Sequence, residues 1–183
     1  MRNGIAALWW YGIALVVILL DQYTKGLASS SLDYGRPQEV FSWFNLTLAH
    51  NPGAAFSFLA DASGWQRYFF TILASIISAG LVIWLYLMPR GQRLLALSLG
   101  LILGGALGNL WDRVQLGYVV DFISVHYGGY YFPSFNIADS AISVGAALML
   151  LDSFIHRDAV NSEAQRTKQQ GDPAGKQGRG AQK

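Results

Sequence analysis

Ionisable and amide side chains stand at or near the ends of long apolar runs, and their types suit hydrolytic chemistry. The set comprises Asp21, Lys25, Asn109, Asp112, Arg113, Asp121, Asn136 and Asp139. Ionisable groups in or near an apolar layer are costly, so they usually face one another or water. Several of them at the ends of different runs therefore predict one shared site.

Two carboxylates in such a site can share one proton. Like charges a few ångströms apart do not both ionise easily, so one carboxyl keeps its proton while the other stays ionised. The ionised group draws a proton from water and the protonated group polarises a peptide carbonyl, which gives amide hydrolysis without a nucleophilic side chain. The chain has no cysteine, no GxSxG sequence and no HExxH pair, which disfavours thiol, serine and zinc-dependent hydrolysis.

Each of these residues also has a structural alternative. Asp21 and Lys25 have the i, i+4 spacing of an ion pair on a helix surface. However, Asp21 near a helix C-terminus meets the unfavourable end of the dipole, so a further group is expected to stabilise it. Asn136 has the position of a helix N-cap with Asp139 as the third helical residue, and the polar residues between 109 and 113 share a face that could anchor a helix end. Asp121 lies among apolar residues with no local partner, so a purely structural role explains it least.

Four apolar segments must position these residues, and each is close to the roughly 20 residues that span a bilayer. They are Ile5–Leu20 (continuing helically to Leu27), Tyr68–Met88, Leu94–Trp111 and Ile137–Ile155. A cleavable signal peptide is an alternative for the first segment, which follows Arg2 and precedes Ala28-Ser29-Ser30. Its length and the three later spans favour a membrane helix instead.

The arginines of the short connections predict the orientation of these spans. Arg2, the link that holds Arg90 and Arg93, and the chain after the fourth span, which begins His156-Arg157, all share one side. The positive-inside rule makes that side the cytoplasm, with both termini in it. The polar helix ends then lie at the outer face of the membrane.

The segments outside the spans differ in composition. In the outer loop Ala28–Arg67, Phe44–Leu48 alternates like a strand, and Val40–Phe44 is expected to pair with it or extend it. The second outer loop, Asp112–Phe135, is rich in Gly and Tyr and is expected to be mobile, with Asp121 within it. Residues 158–183 predict a disordered cytoplasmic tail after a membrane domain of residues 1–157. The expected fold class is an all-α membrane protein, with four transmembrane helices and a small β-rich extracytoplasmic loop region.

Small residues in the third span predict close helix contact. Gly100, Gly104 and Gly108 repeat every four residues and form a smooth face that another backbone can approach. Small residues of the second and fourth spans are the candidate partners: Ala74, Ser78, Ala141 and Gly145.

Five motifs occur in order along these segments. They are Asp21-Gln22-x-x-Lys25, Asn51-x-Gly53-x-Ala55-Phe56, Gly104-Gly105-x-x-Gly108-Asn109-x-x-Asp112-Arg113, Val120-Asp121-Phe122 and Phe135-Asn136-x-Ala138-Asp139. Each motif alone is weak, but five in order on four spans are very specific. From Ile5 to Arg157 the chain resembles the bacterial lipoprotein signal peptidases, also called signal peptidase II.

The resemblance implies a role for each matching residue. Asp121 and Asp139 would be the catalytic dyad, and Asp21 and Lys25 would steady the site from the first span. The other residues implied to support or line the site are Asn51, Gly53, Gly105, Asn109, Asp112, Arg113, Asn136 and Ala138. Neither a metal nor another cofactor is implied.

The resemblance also implies the substrate class. This would be prolipoproteins whose lipobox cysteine carries diacylglyceryl, cut just before that cysteine to release the signal peptide. The other expected partners are membrane lipid and cyclic peptide inhibitors such as globomycin, with no nucleic acid and a monomeric enzyme. A signal peptide is itself a membrane helix, so the bilayer would hold the scissile bond at the depth of the carboxylates. Phe56, Phe58 and Leu59 are expected to dip into the headgroup layer.

Two other function classes use similar residues. A proton-coupled transporter also pairs carboxylates in the membrane, but it needs polar groups through the midplane and commonly has inverted repeats. Neither feature is visible in the sequence. A structural membrane subunit would use the polar residues only to hold helix ends. Cleavage of a diacylated lipobox peptide by the purified protein would separate a peptidase from both.

Overall fold

A computed structural model of the chain describes residues 4–53 and 65–170, with side chains up to residue 155. Four long helices dominate it: α1 is Ala7–Ser31, preceded by a 3-10 turn at Gly4–Ala6; α2 is Trp65–Leu87; α3 is Arg93–Gln115; and α4 is Ile137–Gln170. Each contains a segment long and apolar enough to cross a membrane. The predicted multi-pass helical fold is therefore confirmed.

The third helix lies at the centre of the bundle. Half of the apolar window of α3 is buried, against 11% for that of α2, so α3 is the helix that the others surround. In the half of the bundle away from the polar residues, Leu85, Leu99 and Leu103 are fully buried in an apolar core. The exposed large side chains of α1 and α2, such as Leu19 and Ile76, form the surface that faces lipid.

The glycine face of α3 packs against α1, which differs from the predicted partners in α2 and α4. A Cβ atom on Gly104 would lie 2.8 Å from the carbonyl oxygen of Ala14 and 2.7 Å from Cβ of Val17. The adjacent Gly105 meets the carbonyl oxygen of Ala138 in the first turn of α4. Gly104 and Gly105 thus let α3 approach α1 and α4 at the same level. The four-residue spacing of Gly100, Gly104 and Gly108 does not reveal this, because Gly105 is not part of it.

Four strands form one antiparallel sheet beside the helix ends. In order across the sheet they are β1 (Gln38–Phe41), β2 (Phe44–Asn51), β3 (Val119–Tyr127) and β4 (Tyr130–Tyr131). The predicted pairing of the first two segments is confirmed. The expectation that Asp121 lies in a loop is wrong, since it is paired with Ala49 within β3. The run from Val119 to Val125 is rich in β-branched residues and has the composition of a strand.

The fourth helix extends beyond the expected boundary at residue 157. It continues to Gln170, into the segment that the composition predicted to be disordered. Ala, Glu, Gln, Arg and Lys, which are good helix formers, dominate this extension, and Gly171 and Pro173 follow it. Residues 171–183 lie outside the described residues, so the disordered tail stays a prediction there. Ala55, Phe56, Phe58 and Leu59 also lie outside them.

Candidate active site

The two candidate catalytic aspartates come from different elements that one backbone link holds in register. Asp121 lies on β3, and Asp139 lies in the first turn of α4. Phe135, which precedes α4, exchanges backbone hydrogen bonds with Ile123 at 2.9 and 3.0 Å. This bridge fixes the start of α4 against β3, two residues away from Asp121.

Asp121 accepts hydrogen bonds from two amide side chains. Nδ2 of Asn136 donates to its Oδ1 at 2.7 Å, and Nδ2 of Asn51 donates to its Oδ2 at 3.2 Å. The side chain is almost fully buried, with Asp121 only 2% exposed. Burial and the neighbouring charge of Asp139 raise the pKa of Asp121 to about 7, although the two amide donors partly oppose this rise. Asp121 is therefore the carboxyl suited to keep a proton at neutral pH.

Asp139 is held by a third amide and is less buried. Nδ2 of Asn109 donates to Oδ1 of Asp139 at 2.7 Å. The backbone N–H of Asp139 donates to Oδ1 of Asn136 at 2.9 Å, so Asn136 is the N-cap of α4, as the sequence predicted. The half-buried Asp139 is therefore more accessible to water than Asp121.

A fixed group sets the orientation of each of the three amides. The oxygen and nitrogen of an Asn amide are distinguished only by their partners. Asn109 must turn its Oδ1 to the ammonium of Lys25, 2.9 Å away, which directs its Nδ2 to Asp139. Asn136 turns its Oδ1 to a helix N–H, and Asn51 turns its own to the N–H of Gly53 at 3.0 Å. Both carboxylates are thus met by N–H donors in a predetermined arrangement.

Lys25 is the centre of a buried charge cluster below the aspartate pair. Its Nζ lies 2.8 Å from Oδ2 of Asp21 and 2.8 Å from Oδ2 of Asp112, and these three side chains are at most 4% exposed. With Asn109 as a third acceptor, all three protons of the ammonium are used. The surface ion pair considered from the sequence is in fact part of a buried cluster that joins α1 to α3.

Asp21 receives the further stabilisation that its position in α1 requires. The backbone N–H of Ala138 donates to its Oδ1 at 2.9 Å. This N–H belongs to the first turn of α4, where the positive end of the helix dipole favours a carboxylate. Asp112 is anchored in the same way to β3, since the N–H of Val120 donates to its Oδ2 at 3.1 Å.

Gln22 joins this cluster, and its role is not evident from its spacing. Its Nε2 donates to Oδ1 of Asp112 at 2.8 Å and to Oδ2 of Asp21 at 3.2 Å. Adjacent helix residues do not share a face, so spacing alone gave no reason to link Gln22 with Asp21. Its place in the first of the five motifs was the available signal.

Phe70 is a second residue that the sequence did not single out. It lies in α2, a helix with few polar side chains, and its ring is 5.8 Å from the guanidinium of Arg113. A Cβ atom on Gly53 would lie 2.5 Å from Cδ2 of Phe70, and φ of Gly53 is +128°, so only glycine fits there. Phe70 thereby packs against both Arg113 and the turn that follows Asn51.

A cavity of about 1,210 Å³ opens over the aspartate pair. Asp121, Asp139, Arg113 and Gly53 line it together with the segment from Tyr131 to Phe135. Nη1 of Arg113 donates to the carbonyl oxygen of Asn109 at 3.2 Å, whereas its buried Nε has no hydrogen-bond partner among the described residues. The cavity therefore combines two carboxyl groups, one cation and an aromatic wall, enough for an extended chain with an apolar attachment.

The structure brings the predicted site residues together in two layers. One layer lines the cavity and the other supports it from below. The cavity layer contains Asn51, Gly53, Arg113, Asp121 and Asp139. The supporting layer contains Asp21, Lys25, Gly105, Asn109, Asp112, Asn136 and Ala138.

Comparison with known proteins identifies the relatives of this chain. Residues 13–155 match the family described as Signal peptidase (SPase) II. The lipoprotein signal peptidase of Teredinibacter turnerae is 57% identical over 151 residues, which cover 82% of this chain and 90% of that protein. The lipoprotein signal peptidase of Pseudomonas aeruginosa is 51% identical over 150 residues, covering 79% and 87%.

Two solved structures of bacterial membrane enzymes, both obtained by the in meso method, have the same fold. One, at 2.3 Å resolution, superimposes with a TM-score of 0.72 at 33% identity and covers 88% of this chain and 95% of its own. The other, at 1.9 Å, has a TM-score of 0.67 at 36% identity and covers 76% and 88%.

The fold and the family match define a multi-pass membrane protease. More particularly, the chain belongs to the signal peptidase II family, whose relatives are the lipoprotein signal peptidases.

Proposed function

We propose that the chain is an aspartic endopeptidase that removes the signal peptide from diacylglyceryl-modified prolipoproteins. The cut falls just before the lipid-bearing lipobox cysteine. The observation that carries the proposal is the pair of carboxyl groups in one cavity, each held by an amide whose orientation another group fixes. A pair that served only to stabilise helix ends would not need to face a cavity.

In the proposed reaction, the two aspartates divide the acid and base roles. Asp139, the more accessible carboxylate, takes a proton from a water molecule that attacks the peptide carbonyl carbon. Asp121, whose pKa is raised by its burial and by the charge of Asp139, gives its proton to the developing oxyanion. As the C–N bond breaks, Asp139 donates its proton to the leaving amine nitrogen, and one hydroxyl of the tetrahedral intermediate gives its proton to Asp121 as the carbonyl re-forms, which restores one shared proton on the pair. Arg113 lines the same cavity, where its positive charge can bind a substrate carbonyl.

The location of the cavity supports a lipid-anchored substrate. The aspartate pair lies where α3 and α4 meet the sheet, at one end of the bundle rather than at its midplane. A signal peptide lies in the bilayer as a helix, and a diacylated cysteine is retained at the interface, so both place the scissile bond at this level. The membrane thereby supplies part of the orientation that catalysis needs.

Asparagine variants of the two aspartates test the function. Purified Asp121→Asn and Asp139→Asn proteins would be incubated with a diacylated lipobox peptide, with the exposed Asp33→Asn as the matched control. Each dyad variant should lose at least 10²–10⁴-fold in turnover, roughly the contribution of one acid or base, while its helix content is retained. Near-normal turnover by either variant would rule out the aspartic mechanism.

Infrared difference spectroscopy would test which aspartate is ionised. If Asp139 is the base, Asp139→Asn removes the carboxylate band and leaves the protonated acid of Asp121. The opposite result, in which Asp121→Asn removes the carboxylate band, would reverse the two roles. The protons belong to the pair as a coupled system, so both variants need to be measured.

We also propose that the aspartates face the periplasm from the inner membrane, with both termini in the cytoplasm. Because the chain has no cysteine, single cysteines report the side directly. Ser42→Cys, in the turn between β1 and β2, should react with a membrane-impermeant maleimide in spheroplasts, and Pro89→Cys, between α2 and α3, should not. Labelling of Pro89→Cys alone would show that the topology is the reverse of the one proposed.

Globomycin-type peptides should compete with the substrate for the same cavity, and the monomer should be the active form.

A further inference from the structure

A second cavity, of about 570 Å³, lies at the end of the bundle opposite to the aspartates. It is formed where the start of α1 meets the connection between α2 and α3. Its lining includes Trp9, Trp10, Arg90 and Arg93, with Ala6 and Ile13 beside them. Ligand cavities in proteins are about 300–1,000 Å³, so this one has the size of a binding site. The proposed peptidase reaction makes no use of it.

The cavity carries concentrated positive charge. Arg90 and Arg93 both line it, no acidic residue does, and neither arginine forms an ion pair within the described part of the chain. Gly91, with φ of +107°, makes the tight turn between the two arginines, and its carbonyl accepts the N–H of Arg93 at 2.9 Å. The short link thus brings both arginines to the same cavity. Such planar groups suit the oxygens of a phosphate.

The first turn of α3 adds to this positive potential. The helix begins at Arg93, its N-cap residue Gln92 makes no side-chain cap, and its first turn contains no acidic residue. The N-terminal N–H groups of a helix carry partial positive charge. These N–H groups add to the positive potential of the cavity, to which the two arginines contribute most.

The cavity lies at the level of one membrane surface. Arg93 and Asn109 are sixteen residues apart on α3, which corresponds to about 24 Å along the helix, close to the thickness of the hydrocarbon layer. Trp9 is 81% exposed at the start of an apolar helix, the usual setting of an interfacial tryptophan. A ligand bound here has its charged part at the arginines and an apolar part beside the exposed faces of α1 and α2.

We propose that this cavity binds the phosphodiester headgroup of an anionic phospholipid, in the membrane leaflet opposite to the aspartate pair. Arg90 and Arg93 hold the phosphate, while Trp9 and Trp10 border the glycerol and the first part of the acyl chains. The combination of two unpaired arginines with an aromatic and apolar border favours a lipid over a soluble anion.

The proposal can be tested with phosphatidylglycerol as the probe. The full chain would be purified with this lipid, and retention of lipid would be measured by native mass spectrometry, with phosphatidylcholine as the zwitterionic comparison. The variants are Arg90→Gln/Arg93→Gln and Arg90→Lys/Arg93→Lys. The control is Arg36→Gln, an exposed arginine at the other end of the molecule.

The glutamine pair should lower the affinity for phosphatidylglycerol roughly thirtyfold, about fivefold for each arginine. The lysine pair keeps the positive charge that sets membrane topology but lacks the planar guanidinium groups that can bind a phosphate through two N–H donors. Its affinity for phosphatidylglycerol should therefore fall between those of the glutamine pair and the wild type. The control should bind as the wild type does.

Three results would overturn the proposal. If the lysine pair binds the lipid as tightly as the wild type, positive charge alone attracts the lipid and the guanidinium groups of Arg90 and Arg93 are not specifically required. Equal retention of phosphatidylcholine would show that charge does not select the lipid. Displacement of the lipid by millimolar inorganic phosphate would identify a site for a soluble anion instead. Because the lysine pair retains the positive charge, it keeps the test decisive even if the glutamine pair does not fold.

Discussion

Replacing Lys25 with methionine removes the one cation between two buried carboxylates. Asp21 and Asp112 each lie 2.8 Å from its ammonium, with side-chain exposures of 0% and 3%. Removing one partner of a buried pair costs about 3–5 kcal/mol, because an uncompensated charge stays in a low-dielectric interior. Two carboxylates lose their partner here, so we expect a value at the upper end of that range.

The exposed pair Arg36–Asp33 provides the matched control. Its atoms are 3.5 Å apart and its side chains are 80% and 76% exposed, so Arg36→Met should cost only about 0–1 kcal/mol. Thermal unfolding in detergent, followed by tryptophan fluorescence, would compare the two variants. With about 2–4 °C per kcal/mol at this chain length, a cost of about 5 kcal/mol predicts that Lys25→Met lowers Tm by roughly 10–20 °C.

The same variant should also lose activity at temperatures where it remains folded. Without the ammonium, Oδ1 of Asn109 has lost the partner that sets the amide orientation, so the donation to Asp139 is no longer enforced. Adding Asp112→Asn to Lys25→Met should recover part of the stability, because one unpaired charge is removed, but not the activity. If Lys25→Met lowers Tm no more than Arg36→Met does, the buried cluster is not a stabilising element and the reasoning fails.

Three other predictions concern the aspartate pair and its surroundings. The ratio kcat/KM should fall as the pH rises through about 7, because Asp121 then loses the proton that it must donate; a constant ratio from pH 6 to pH 9 would contradict this. Gly53→Ala should reduce cleavage strongly, because its Cβ meets the ring of Phe70, whereas Gly35→Ala, which also has positive φ but open space around it, should cleave normally; equal activities of the two in the peptide assay would refute the close packing. Truncation after Asp158 should leave cleavage and inhibitor binding intact, and a large loss of activity with normal expression would show that the removed segment has a role.

The sequence predicted the features that depend on local patterns. Span length and hydropathy are properties of contiguous residues, so the four membrane spans could be located, although α1 and α4 continue beyond the predicted segments to Ser31 and Gln170. The N-cap by Asn136 followed from a side chain and an N–H three residues apart. The polar residues at the helix ends indicated a site because burying charge in an apolar layer is costly wherever the chain folds.

The tertiary structure alone decided how those residues act on one another. Lys25 reaches Asn109 across 84 positions and Asn51 reaches Asp121 across 70, and no local pattern sets such contacts. The strand that carries Asp121 was mistaken for a loop, because its identity depends on pairing with β2, a partner distant in sequence. The glycine face of α3 was assigned to the wrong helices for a similar reason, since small residues permit close approach without specifying the neighbour. The sequence by itself thus determined which groups had to meet, and the packing of three helices against a sheet determined which atoms do.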